Sequence, residues 1–160
     1  MTPPRRQGPI SRRRLLQGAG AWALAGPMLA RAPSAVAQEM PVIPALTSFL
    51  AGRSPRWERL RLDLPSLADN GQAVPMRLTM TGLLASGPTL QAIHLFSEVN
   101  PVPEMAVFEF PSPAPKVEID TRIRLAGSQH VVAVAVMSDG ALFAAVAEVI
   151  VTIAACLDGS

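Results

Sequence analysis

The sequence predicts an all-β protein, an antiparallel sandwich of about seven strands with one short helix ahead of them. Three observations carry this. Several runs alternate apolar and polar residues with the period of two expected of strands that bury one face. Turn signals rich in Gly, Pro, Asn and Asp separate those runs at the short spacing usual in sandwiches. Too little helical pattern lies between them to supply the crossovers of a parallel sheet.

The front of the chain is set apart from that fold. "ISRRRLLQ" places Ser11 before Arg12 and Arg13 and follows them with Leu15 and Leu16, the twin-arginine export pattern. "GAGAWALAGPMLA" is short for a membrane span and rich in Gly, Ala and Pro, and "SAVAQ" sets Ala35 and Ala37 in an A-x-A arrangement before Gln38. Residues 1–37 are therefore read as a twin-arginine signal peptide cleaved after Ala37. Export to the periplasm is the expected localisation, with no stable membrane anchor. Of the 14 basic residues, Arg5, Arg6, Arg12, Arg13, Arg14 and Arg31 lie in this leader, and none of the 12 acidic ones does. The mature chain thus sets 8 basic against 12 acidic residues, a formal charge of −4. No basic surface remains to argue for nucleic acid.

Residues 38–153 suit one domain with a proper core. From Met40 to Gly52, Ile43, Leu46, Phe49 and Leu50 fit a short helix begun after Pro44 and closed by Gly52. Leu60, Leu62 and Leu64 then alternate with Arg59, Arg61 and Asp63 until Pro65. Asn70-Gly71 marks a turn, and the next strand sets Val74, Met76, Leu78 and Met80 against Arg77, Thr79 and Thr81. "LQAIHLFSEVNP" is apolar on both faces, as a central strand should be, and closes at Asn100-Pro101. "MAVFEF" is a short strand before a proline-rich link. In "VEIDTRIRLAG", Val117, Ile119, Ile123 and Leu125 point inward and Glu118, Asp120, Arg122 and Arg124 outward. The last two strands are long apolar runs joined by a tight hairpin at Ser138-Asp139-Gly140. This arrangement is immunoglobulin-like in architecture, without the Cys-Trp-Cys core of antibody domains.

Enzyme signals are sparse: there is no G-x-S-x-G, P-loop or H-E-x-x-H pattern. His94 and His130 read as satisfied sheet histidines, and Met76, Met80, Met105 and Met137 as core fillers. The arginine rows Arg59/Arg61 and Arg122/Arg124 read as the wet face of a sheet. Cys156 is the single cysteine, so no internal disulfide can form, and the thiol is free, modified or bonded to another molecule. It stands three residues beyond Ile153, on the order of 10 Å of reach if the sheet ends there. Such a thiol can enter another protein's active site. Asp158 nearby disfavours the thiolate, so activation would come from the pocket entered. These residues leave open a plain interaction module, with Arg122/Arg124 meeting a partner, or a cysteine nucleophile assisted by His130.

The ordered segments "LDLPSLADNGQAVP", "SEVNPVPEMAVFEF", "TRIRLAGSQHVVAVAVMSDG" and "VTIAAC" resemble the SoxY family, the sulfur-carrier subunits of the periplasmic thiosulfate-oxidising Sox system. The resemblance runs from about Leu62 to Cys156. It implies an immunoglobulin-like sandwich paired with a SoxZ-like subunit as a heterodimer, and a C-terminal cysteine that holds sulfur intermediates covalently. It implies three partner enzymes: haem-containing SoxAX, which joins thiosulfate oxidatively to the cysteine, dimanganese SoxB, which hydrolyses sulfate from it, and SoxCD-type enzymes, which oxidise the remaining sulfane sulfur. The carrier is then no enzyme and needs no cofactor or metal of its own. Carried over residue by residue, Cys156 is the covalent attachment site. The carrier arm spans residues 154–160. In the family this arm is typically G-G-C-G-G, whereas here Ala154 and Ala155 precede the cysteine and Leu157, Asp158, Gly159 and Ser160 follow it. Alanine excludes the left-handed conformations glycine allows, so the tether is stiffer, and a divergent paralogue with another cargo stays open beside the carrier reading.

Overall fold

The computed structural model describes residues 39–83 and 86–153. The expected leader 1–37, with its cleavage site, and the arm 154–160, with Cys156, lie outside the described residues. Among the described residues, helix α1 spans Pro44–Leu50, and eight strands follow: β1 Leu60–Asp63, β2 Leu67–Asn70, β3 Val74–Met80, β4 Leu90–Ser97, β5 Glu104–Glu109, β6 Val117–Ile123, β7 Gln129–Met137 and β8 Leu142–Ile153. They form a three-stranded sheet, β1-β3-β6, and a five-stranded sheet, β2-β8-β7-β4-β5. Strand pairs are antiparallel except β2–β8, which is parallel.

Alternation decides which side chains meet. Leu60 and Leu62 of β1, with Val74, Met76, Leu78 and Met80 of β3, turn inward and pack against Ile93, Leu95, Val131, Ala133 and Ala135 of the larger sheet. The period of two read from the sequence is the inner face of this sandwich. Met76, Met80 and Met137 are buried there as expected. The larger sheet is also covered on its outer face. Val132 and Val134 of β7, Leu142 and Ala144 of β8 and Phe96 of β4 form a second cluster with Ile43 and Leu46. The helix supplies that cover. This is why β4, β7 and β8 read as apolar on both faces, whereas β1, β3 and β6 alternate.

Local chemistry sets the joints. Pro44 begins α1, where a missing N–H costs nothing, and Ala51 (φ 48°) and Gly52 (φ 80°) turn left-handed to end it. Met137 N donates to Ala141 O and Gly140 N to Met137 O, with Gly140 at φ 82°, a three-residue hairpin loop that needs glycine at its last position. Pro75 lies beyond the last β1 pair, Asp63–Arg77, where β3 has only β6 beside it.

Two features depart from the expected strand list. β2 is an eighth strand, since only Ala68 of its four residues is buried and no alternation announces it. Its pairing with β8 holds it instead. Arg59 and Arg61 are both exposed as read, but Arg59 lies just before β1 rather than in it: at φ 66° it sets its guanidinium over the Phe143 ring, 5.2 Å from the centroid, while Arg61 Nε donates to Asp63.

Candidate functional site

The expected arm, residues 154–160, follows Ile153 in sequence, so the site is built from the pole of the sandwich around Ile153. Beyond Val149, the last residue β7 pairs through Gln129, β8 is held by β2 alone on its flank, as far as Asn70 opposite Ile153. Side chains complete the grip. Ser128 Oγ accepts from Val151 N at 2.9 Å, and Thr152 Oγ1 donates to Asp69 O at 2.8 Å. Asn70 then accepts from Gln72 N at 2.8 Å, opening a short 3-10 turn, Gly71–Ala73, whose Gly71 O accepts from Leu125 N at 2.8 Å. The Asn70-Gly71 signal thus marks a turn into the other sheet.

Beneath this rim lies a polar hub. Ser97 Oγ donates to Gln129 Oε1, which also accepts from Val99 N at 3.0 Å. Gln129 Nε2 donates to Asn100 Oδ1 and to Gly127 O. Asn100 ties the β6–β7 loop down twice more, donating to Arg124 O at 2.9 Å and accepting from Ala126 N at 2.9 Å. No described buried side-chain N or O lacks a partner. A satisfied buried network of this kind fixes one arrangement of its loops. Here the loops are those that frame the end of β8. Sequence reasoning missed Ser97, Asn100, Ser128 and Gln129 as positioning residues. A signal existed: Asn100 N donates to Ser97 Oγ at 3.0 Å, the local turn that Ser-x-x-Asn before proline permits.

The histidines are satisfied sheet residues, as expected. His94 Nδ1 lies 2.7 Å from Glu104 Oε1, its ring 4.4 Å from that of Phe49 on α1. His130 Nδ1 lies 2.8 Å from Glu98 Oε2, and its backbone N–H donates to the same oxygen at 3.1 Å. These two bonds, the backbone one first, hold the Glu98 carboxyl below its ordinary value. Met105 is half-buried, 3.1 Å from Asn100 Nδ2. Arg122 and Arg124 are exposed and have no ion-pair partner among the described residues. Among the described residues no group of His, Cys, Asp and Glu is arranged to hold a metal, and no helix is long and apolar enough to cross a membrane. Cys156, Ala154, Ala155, Leu157, Asp158, Gly159 and Ser160 fall outside the described residues. What is placed is the ground they start from.

Fold and pole define an immunoglobulin-like β-sandwich whose last strand is clasped on its flank and pinned by side chains as it leaves the domain. The family model described as sulfur oxidation protein SoxY matches residues 47–156. The chain belongs to the SoxY family. Among solved structures, it is similar to the sulfur carrier protein SoxY from Chlorobium limicola f. thiosulfatophilum, with 26% identity, a TM-score of 0.54, and 66% of this chain and 87% of that one covered. It is also similar to a superoxide reductase (neelaredoxin) from Ignicoccus hospitalis, with 16% identity, a TM-score of 0.46, and 59% and 80% covered. No curated protein matches.

Proposed function

We propose that the chain is a periplasmic sulfur carrier whose Cys156 holds sulfur intermediates as covalent adducts. One observation carries this: the family match ends at residue 156, on the only thiol in the sequence, three residues beyond a strand anchored through Ile153. In the first step the thiol and thiosulfate join, Cys–SH + S₂O₃²⁻ giving Cys–S–S–SO₃⁻ + H⁺ + 2 e⁻, the electrons passing to a haem enzyme of the SoxAX type. Water then cleaves the sulfonate, Cys–S–S–SO₃⁻ + H₂O giving Cys–S–SH + HSO₄⁻, in a SoxB-type dimanganese site. SoxCD-type enzymes oxidise the sulfur that stays behind. The chain catalyses none of these steps. It brings one sulfur atom at the end of a short arm to each partner in turn, in a heterodimer with a SoxZ-like subunit, after export by the twin-arginine route.

The support for each part is distinct. Membership of the SoxY family and the likeness to a sulfur carrier support the role. The twin-arginine pattern and A-x-A site support the compartment. Intact-mass spectrometry of the protein from thiosulfate-grown cells is expected to show added sulfur, sulfonate or thiosulfonate mass on Cys156, and Cys156→Ser is expected to abolish thiosulfate oxidation. An unmodified thiol together with undiminished oxidation in the Cys156→Ser strain would sink the reading.

A further inference from the structure

Half of the basic residues in 38–160 fall within nine positions, as Arg53, Arg56, Arg59 and Arg61 of the stretch "RSPRWERLR" that leads from α1 into β1. Arg61 is taken by Asp63. The other three are exposed, with Glu58 the one acid among them, 3.9 Å from Arg56. Trp57, in their midst, is 39% exposed. Arginine and tryptophan are the side chains on which binding energy concentrates at protein interfaces.

Each of these arginines is held in place. Arg53 Nε and Nη2 donate to Leu50 O at 3.1 Å and to Phe49 O at 3.0 Å, which caps the end of α1. Arg56 is fixed at its main chain, its N–H donating to Leu142 O and its carbonyl accepting from Ala144 N, both at 2.9 Å. Arg59 sits in a tight turn that Leu60 N closes on Glu58 O at 2.7 Å, and its φ of 66° is a left-handed value that residues other than glycine rarely adopt. Such strain persists where the surroundings over-determine it. Here the Arg59 carbonyl accepts from Thr81 N at 2.9 Å, and the guanidinium lies over Phe143. Among the described residues neither Arg53 nor Arg59 has a carboxylate partner. Side chains already ordered lose little freedom when a ligand arrives, so pinned cations bind at low entropic cost.

Charge selects the ligand. Arg53, Arg56 and Arg59 with Glu58 give this patch a formal +2, while the other five basic and eleven acidic residues of 38–160 sum to −6. An extended anionic surface such as a lipid bilayer meets both, whereas a short acidic segment meets the patch alone. We propose that this patch docks an acidic segment of a partner protein, its carboxylates on Arg53, Arg56 and Arg59 and its apolar atoms covering Trp57. Place matters as well. Arg56 bonds the start of β8, and Ile153 ends that strand nine residues beyond Ala144, about 30 Å away. A partner docked here leaves the far end of β8 open to other proteins. The inference goes beyond the carrier reading and does not rest on it.

The test uses the mature chain, residues 38–160, in which Trp57 is the only tryptophan, and an octaglutamate peptide as the probe. Saturable binding of the dye-labelled peptide is expected by anisotropy at low salt, and the unlabelled peptide is expected to change Trp57 emission over the same range. Arg59→Gly removes the cation and suits the left-handed turn. The double variant Arg56→Gln/Arg59→Gly is therefore expected to keep the wild-type circular dichroism and to bind about fivefold more weakly, the scale of two exposed charge pairs. Raising the salt should weaken binding likewise. Arg122→Gln/Arg124→Gln, which removes exposed cations elsewhere, is expected to bind within about twofold of wild type. No saturable binding, unchanged Trp57 emission, or an equal loss in Arg122→Gln/Arg124→Gln would overturn the proposal. So would cosedimentation with vesicles of phosphatidylglycerol and phosphatidylcholine in the absence of peptide binding, which would assign the patch to a lipid surface. Since no readout involves Cys156 or sulfur, either result leaves the carrier reading where it stood.

Discussion

Ser97 donates its hydroxyl to Gln129 Oε1 across 32 positions of sequence, with Ser97 0% and Gln129 4% exposed. Those two side chains join the end of β4 to the start of β7, and Gln129 is also the residue that pairs Val149 of β8. Replacing Gln129 with leucine would strand the buried Ser97 hydroxyl and take a partner from Val99 N–H and from Asn100 Oδ1. A cost of about 2–3 kcal/mol is expected, measured as a lowered urea midpoint with unchanged slope.

Leu46 tests whether the helix is a structural layer. It is 1% exposed and packs with Ile43 on Phe96, Val132 and Val134. Leu46→Ala is expected to cost about 2–4 kcal/mol, as for other buried leucines. A change below about half a kcal/mol in chemical denaturation would mean that α1 docks only loosely.

Ser128 grips the last turn of the sheet from the side. Its hydroxyl accepts from Val151 N, so Ser128→Ala is expected to speed hydrogen exchange of the Val151 amide about fivefold, matching one net hydrogen bond of about 1 kcal/mol. Amides of β3 should keep their protection, which separates local loosening from global loss.

Glu98 makes stability depend on acid. Its carboxyl is held below the ordinary value of 4.5 by the His130 backbone and ring. A depressed folded-state value means the contribution is complete above about pH 4.5 and disappears as pH falls through the lower folded value. Glu98 is partly exposed, so the contribution is expected to stay below about 1 kcal/mol. Urea midpoints for wild type and Glu98→Gln should differ at pH 7 and converge near pH 3.

Much of the fold was legible because burial on one face writes a period of two, as at Leu60 and Leu62 or from Val74 to Met80. The double cover of β7 and β8 was legible as unbroken apolar runs, and α1 through Pro44 and Gly52. What escaped is held by partners rather than by its own burial. β2 buries only Ala68 and exists because β8 is beside it. Arg59 stays exposed but falls outside β1, because its backbone turns left-handed and its cation lies over Phe143. The Ser97–Gln129 hub joins residues that no local pattern relates. Cys156 lies outside the described residues, so its reading rests on the count of one thiol in the sequence and on the reach of the family match to residue 156.

The side-by-side run of β2 along the end of β8 has a mechanical meaning. A pull along the β8 axis is resisted by the β2 and β7 ladders as a set, sliding against the load rather than opening one bond at a time like a zipper. The end of β8 is therefore stiff along its own axis. Single-molecule traction applied through residue 156 is expected to meet a higher rupture force than traction applied across the sheet through a cysteine placed at Leu67.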